Sequence, residues 1–198
     1  MPRIIAGRFR GRRLQAPAGL ATRPTGDRMK ETLYNVLGDG VAGGRVLELY
    51  AGSGSLGLEA LSRGARHVVF VETAPPALAA LRANVVALGV EPDVEVVRDD
   101  ALRYLARVRG AAFDLVLADP PYALAVETAL VAAGVTAVAP GGTLVLQHAR
   151  RWQAPPPPDG WRLLRPRRFG DTVIDFFVRE ESAHGRDTPP HGAVPGDV

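Results

Sequence analysis

From Arg45 onward, short apolar runs alternate with stretches whose apolar residues recur at helical spacing. The runs Arg45–Tyr50, His67–Glu72, Val94–Asp99, Phe113–Asp119 and Thr143–Gln147 predict strands, the last entered from a Pro140-Gly141-Gly142 turn. Between them the spacing predicts a helix opening near Leu56, one over Ala77–Leu88, a short one from Ala101 through Leu105, and one over Ala125–Ala139. Such alternation implies an α/β fold, with a mostly parallel sheet and helices on both faces. Trp161–Arg168 and Thr172–Arg179, turned at Gly170-Asp171, predict a closing antiparallel pair after a Pro155–Pro158 loop. The expectation is therefore a mostly parallel seven-stranded sheet with an antiparallel final strand.

Ahead of this pattern, Ile4, Ile5 and Phe9 are separated by Gly7 and followed by Gly11, which predicts a β-hairpin over Arg3–Leu14. Gln15–Ala21 reads as a connector. Thr25 fits the N-cap of an amphipathic helix carrying Met29, Leu33, Val36 and Leu37 on one face. Beyond Glu181 the chain is rich in glycine, proline and charge without periodicity, and is expected to be disordered. The organisation expected is a basic hairpin and connector over 1–21, one domain over 22–181 and a tail over 182–198. No internal repeat is visible.

Composition narrows the chemistry. A chain of 198 residues, 46% hydrophobic and 23% charged, suits one soluble domain with a full core. Cysteine is absent, which excludes disulfides and thiolate chemistry, and His67, His148, His184 and His191 lack ligand spacing, so no metal is expected. No apolar run reaches membrane-spanning length and the N-terminus has no signal core, which leads to a cytoplasmic expectation. The basic residues are almost all arginine, suited to phosphate forks and base stacking; the abundance of Ala, Gly and Pro also fits a GC-rich genome. Arg3, Arg8, Arg10, Arg12 and Arg13 surround Phe9 in the hairpin, an arrangement that suits a clamp on RNA phosphates. The competing reading makes the hairpin a cover for apolar core through Ile4, Ile5 and Phe9. Arg23 and Arg28, at the start of the first helix, join the RNA-binding candidates.

The first strand runs into Glu48-Leu49-Tyr50-Ala51-Gly52-Ser53-Gly54, a tight turn whose backbone a ligand can approach, followed by a helix N-terminus. Gly52, Gly54 and Gly57 satisfy G-x-G-x-x-G, which alone would equally suit a dinucleotide. Glu48 lies before the glycines, where a carboxylate favours a cationic group over a pyrophosphate. Four strands in succession end in acid, at Glu48, Glu72, Asp100 and Asp119, and in open α/β sheets ligands sit beyond those ends. Glu72 suits two ribose hydroxyls; Asp100 with the Ala101 N–H suits an adenine edge. Each taken singly also fits a helix cap or a surface acid. The set, with Ala51, Gly52, Ser53 and Gly54, suits S-adenosylmethionine, and the stretch resembles motif I of class I methyltransferases.

Asp119-Pro120-Pro121-Tyr122 adds the reaction. Asp119 and the Pro120 carbonyl can accept the two N–H bonds of an exocyclic amine whose lone pair is delocalised, while Tyr122 offers a face to a flipped base. This tetrapeptide resembles motif IV of amino-group methyltransferases. With Arg3-Ile4-Ile5-Ala6-Gly7, Arg23-Pro24-Thr25-x-Asp27-Arg28-x-Lys30-Glu31, Leu49 to Gly64 and Phe169-Gly170-Asp171-Thr172, the chain resembles the bacterial small-subunit (16S) rRNA guanine-N2 methyltransferases of the RsmD type from Arg3 to about Arg179. It departs from them at Glu48, where aspartate is commoner, and at Asp99, where glycine is common. The resemblance implies a class I methyltransferase Rossmann-like fold and methylation of one guanine N2 in 16S rRNA, on a partly assembled particle. The alternatives at this point are an adenine N6 or protein glutamine methyltransferase, and a non-catalytic RNA-binding assembly factor. A dehydrogenase would need a hydride-accepting site, for which no His or Lys cluster speaks.

Overall fold

The computed structural model describes residues 2–17 and 25–180. The expected tail over 182–198, most of the Gln15–Ala21 connector and Arg23 lie outside the described residues. Strands β1 (Arg45–Leu49), β2 (His67–Glu72), β3 (Val94–Arg98), β4 (Phe113–Ala118), β5 (Val138–Ala149), β6 (Trp161–Leu163), β7 (Arg167–Phe169) and β8 (Thr172–Arg179) form one sheet. Helices α1 (Thr25–Leu37), α2 (Ser55–Ser62), α3 (Pro75–Leu88), α4 (Ala101–Arg107) and α5 (Glu127–Ala137) accompany it.

The order across the sheet is β3-β2-β1-β4-β5-β8-β6, with β7 also on β8. β1 to β5 are parallel; β8 runs antiparallel between β5 and the edge. The sheet has eight strands where seven were expected because the edge strand is broken. Leu163 pairs with Phe177 and Arg167 with Ile174, so three residues oppose two around Pro166, which has no N–H for the ladder. The chain leaves β1 toward β2 on one side and finds β4 on the other. That reversal opens a crevice beyond the carboxyl ends of β1 and β4.

Smaller boundary shifts have local causes. β5 begins at Val138, because Phe113 pairs with Val138 and Leu115 with Thr143; the Pro140-Gly141-Gly142 turn is a bulge inside the strand. α5 starts at Glu127, two residues after Ala125, whose φ of 49° is incompatible with a right-handed helix.

Alternation along the strands separates two apolar layers. Val46, Leu58, Leu61, Phe70, Leu81 and Phe176 pack with α1, α2 and α3, while Leu47, Leu49, Val116, Leu130 and Phe177 pack with α4 and α5. Glu48 shares its face with Val46 and therefore points toward α2.

The N-terminal hairpin is closed by a single bridge between Arg3 and Arg13, with Ile4 and Arg12 bonded at 2.9 Å and a turn between. It has no regular strands, and it is not a separate body: Ile4 and Leu14 are each 1% exposed and belong to the main core. Gly7 fits against α2 because a Cβ there would stand 1.8 Å from the Ser62 carbonyl oxygen.

Candidate active site

The turn after β1 begins with backbone strain. Tyr50 has φ 55°, a left-handed conformation unusual for an aromatic residue. The Ala51 N–H then donates to the Val71 carbonyl at 3.1 Å, and Gly54, at φ 77°, leads into α2. The Glu48 carboxylate accepts the N–H groups of Gly57 (2.7 Å) and Leu56 (3.3 Å) in the first turn of α2. Gly57 permits this approach, since a Cβ there would lie 2.8 Å from Glu48 Oε2 and 2.5 Å from the Phe70 ring. Burial pushes the Glu48 pKa up to about 8; the two N–H bonds and Lys30 oppose the rise, and the charge of Asp119 adds to it. Glu48 thus faces the protein and fixes the helix start behind the crevice. The direct approach to a cationic group expected from its place before the glycines is not the contact its carboxylate makes.

Glu72 ties the ends of β1 and β2 together. Oε2 accepts the Gly52 N–H at 2.8 Å, while Oε1 accepts Thr73 (2.7 Å) and Ala74 (2.8 Å). An ionised carboxylate has about four acceptor positions, so the half-buried group keeps capacity for a hydroxyl. Asn84, buried in α3, donates to the Ser53 carbonyl at 3.0 Å and holds the far side of the turn. Asp100 is the N-cap of α4, with Oδ1 accepting Arg103 N–H at 2.9 Å, and Ala101 is buried behind it. The cap reading of Asp100 is therefore realised.

Asp119 follows β4 directly and is exposed, with Pro120 buried beside it. Its Oδ1 accepts Gln147 Nε2 at 2.7 Å. Tyr122 shares a 2.8 Å hydrogen bond with the Thr172 hydroxyl, and its carbonyl accepts Arg151 at 3.2 Å. The Asp119–Tyr122 loop is thus clasped by β5 and β8. Sequence reasoning missed Gln147, Thr172 and Arg151 as parts of this site. Gln147 carried the signal used elsewhere, a polar residue closing an apolar run, and Thr172 stood in the Phe169–Thr172 motif without a role.

Behind Gln147 lies a second buried polar pair. His148 Nε2 is 2.9 Å from Asp175 Oδ2 and Nδ1 is 2.9 Å from the Ala149 carbonyl. The Ala149 carbonyl only accepts, so Nδ1 carries a proton, and the Asp175 carboxylate favours a second proton on Nε2. Burial pulls the His148 pKa down, but the bonds to Asp175 and Ala149 outweigh it, and the pKa stands above its ordinary value.

Of the arginines expected to hold RNA, Arg8 and Arg12 lie away from this crevice. Arg3 pairs with Asp27 at 2.7 Å; Arg8 pairs with Asp93 at 3.1 Å and lies over Phe9; Arg12 donates to the Ala87 carbonyl at 2.6 Å. Asp93 immediately precedes β3 and Ala87 lies in the last turn of α3, so Arg8 and Arg12 sit at the amino ends of the strands, opposite Asp119. Arg10, Arg13 and Arg28 are exposed and form no ion pair among the described residues. No metal-binding group of acids and histidines occurs among those residues, and no helix is long and apolar enough to cross a membrane.

A family model described as conserved hypothetical protein 95 matches residues 2–178. The chain belongs to this family, the RsmD family. Ribosomal RNA small subunit methyltransferase D of Escherichia coli is 33% identical over 180 residues, 90% of each chain. YlbH of Bacillus subtilis is 44% identical over 122 residues, 61% of this chain; the chain spans 66% of that relative. The solved structure of Escherichia coli yhhF superposes with a TM-score of 0.81 at 29% identity, covering 91% of this chain and 99% of the other. The RsmD assignment and these neighbours establish the methyltransferase Rossmann-like architecture. Of the stretches shared with the RsmD pattern, Leu49–Gly54 and Asp119–Tyr122 border the crevice between β1 and β4.

Proposed function

We propose that this protein transfers a methyl group from S-adenosylmethionine to the exocyclic N2 amine of one guanine in 16S rRNA. The observation that carries the reading is the placement of Asp119-Pro120-Pro121-Tyr122 beyond β4, alongside the glycine turn of β1, at the reversal point of the sheet. The names of the family relatives support rRNA as the substrate.

The residues present fit the cofactor. Nothing stands within 4.0 Å of a Cβ placed on Gly52 except the Tyr50 carbonyl, so its backbone is open to a ligand, and Glu72 beside it can accept ribose hydroxyls. The Asp100–Ala101 helix start suits the adenine edge, with Ala51, Ser53 and Gly54 shaping the turn and Glu48 supporting it from behind. When bound, S-adenosylmethionine supplies a methyl group on a sulfonium, already activated for displacement.

The chain's own contribution is positioning and electrostatics. Asp119 and the Pro120 carbonyl accept the two N–H bonds of the guanine amine and turn its lone pair toward the methyl group. Gln147 holds one Asp119 oxygen, so the carboxylate cannot rotate away. Tyr122, fixed by Thr172, stacks on the extracted base. Asp119 would take up the proton that the amine nitrogen gives up on methylation. A substrate of this kind places the enzyme in the cytoplasm, acting on rRNA in a partly assembled small subunit. Mass mapping of rRNA from a strain lacking the gene tests the reading: one guanine should lose 14 Da. An unchanged 16S map would refute it.

A further inference from the structure

The active-site end of the sheet carries a second set of arginines. Arg150 and Arg151 leave β5, Arg165 precedes β7, and Arg167 and Arg168 lie on β7. All are exposed except the half-buried Arg167, and none forms an ion pair among the described residues. Asp159 and Asp171 are the acids of the same segment, and neither is paired with them.

Strand register relates this set to the catalytic loop. Gln147 pairs with Ile174, and Ile174 with Arg167, so the three form one row across β5, β8 and β7. Residues paired across strands point to the same face, and neighbouring strands lie about 4.8 Å apart, which puts the Arg167 backbone roughly 10 Å from that of Gln147 on the face that holds Asp119. Arg168 occupies the next row, opposite Val173 and His148, and so leaves the edge strand on the other face at the same end of the sheet, where its exposed side chain continues the basic rim around the edge. Arg150 donates its N–H to the Asp171 carbonyl at 2.8 Å, and Arg151 reaches the Tyr122 carbonyl, so both are fixed to the site's own loops. Arg167 donates to the Arg165 carbonyl at 2.7 Å, which steadies that corner.

From this placement we infer that Arg150, Arg151, Arg165, Arg167 and Arg168 form the surface that holds the backbone of the target RNA strand beside the extracted guanine. The inference rests on the function proposed above and moves the principal RNA contact away from the N-terminal hairpin. Arg8 and Arg12 lie at the other end of the strands and already have protein partners.

The test is binding of a protein-free 16S rRNA transcript by filter retention over a series of salt concentrations, with calorimetry of S-adenosylmethionine run in parallel. Arg150→Gln/Arg167→Gln/Arg168→Gln should weaken transcript binding about 100-fold near 0.15 M salt and lower the log–log salt slope by about 2, as loss of three phosphate contacts requires. Cofactor affinity should not change, and Arg8→Gln/Arg10→Gln/Arg12→Gln should keep most of the wild-type slope. Arg150→Gln and Arg168→Gln, made singly at exposed positions, should each lower the slope by about 0.7 to 0.9 and serve if the triple variant does not fold. Wild-type affinity and slope in these variants would overturn the inference. So would a loss confined to the assembled particle with the naked transcript unaffected, because the surface would then meet a ribosomal protein. A wild-type chain that binds the transcript but never methylates 16S rRNA would refute the proposed function, and the slopes would still decide where RNA binds.

Discussion

Glu59 accepts the Ile5 N–H at 2.7 Å from a helix position where its side chain has no exposure to water. The same carboxylate accepts Ala6 N–H at 3.0 Å and Arg63 Nε at 2.9 Å, and lies 3.5 Å from Lys30, the only lysine of the chain. Lys30 in turn donates to the Arg3 carbonyl, and Ser62 accepts the Phe9 N–H at 2.9 Å. The hairpin therefore supplies partners to a buried charge, and Ile4 and Leu14 add apolar area to the core. Of the covering residues expected, Ile4 is buried in the core and Phe9 packs against it, while Ile5 is half-buried and gives its N–H to Glu59; Leu14 joins them in the core.

Deleting residues 2–14 should accordingly destabilise the whole domain, because Glu59 would keep a buried charge with fewer donors. Glu59→Ala is expected to cost about 3–5 kcal/mol, the range for breaking a buried ion pair. Arg8→Gln/Arg10→Gln/Arg12→Gln, which leaves the buried contacts intact, should cost about 1 kcal/mol or less. Urea unfolding of the variants measures both; a deletion that unfolds at the wild-type midpoint would contradict the docking role.

Asp119→Ala should leave the fold and most cofactor affinity in place while lowering kcat by several hundredfold or more, since its proposed partner changes geometry only during transfer. Gln147→Leu should show a smaller kcat loss with unchanged cofactor binding, because it acts through Asp119. Single-turnover methylation of rRNA separates these effects from binding. Near wild-type turnover in Asp119→Ala would remove the residue from the mechanism.

Stability should fall as pH rises. Glu48, whose pKa rises from 4.5 to about 8 on folding, binds a proton in the native chain where the unfolded chain has lost it, so native stability declines between those values. His148, raised above 6.5, contributes fully below that value and loses its contribution as pH passes its folded pKa. Both groups act in the same direction. Melting temperatures taken from pH 5.5 to 8.5 should therefore decline, and the decline should flatten in Glu48→Gln and in His148→Gln. A melting temperature that climbs with pH in the wild type would show that neither buried group titrates this way.

Much of the fold was legible because its signals are local. Strand and helix periods along Arg45–Ala149 follow from apolar spacing, and the strand-end acids are read from single positions. What stayed hidden depends on partners far along the chain. Glu59 meets the backbone of Ile5 and Ala6, which leaves no trace in side-chain pattern, so the hairpin read as separable. Gln147 meets Asp119 only once β5 pairs with β4, and Thr172 meets Tyr122 only once β8 pairs with β5, across 28 and 50 positions of the chain respectively. Glu48 lies at the end of β1, and the alternation that aims its carboxylate at α2 was outweighed in the reading by its chemistry. The broken edge strand depends on a register that only the paired partner, β8, reveals.

Reconstitution measures the methyl transfer itself. Purified protein, methyl-labelled S-adenosylmethionine and small subunits from a strain lacking the gene are incubated, and the 16S rRNA is digested to nucleosides for mass spectrometry. Label is expected in N2-methylguanosine, about one per particle, and none with Asp119→Ala. Label in N6-methyladenosine or in protein glutamine, or no label in RNA at all, would contradict the proposed function.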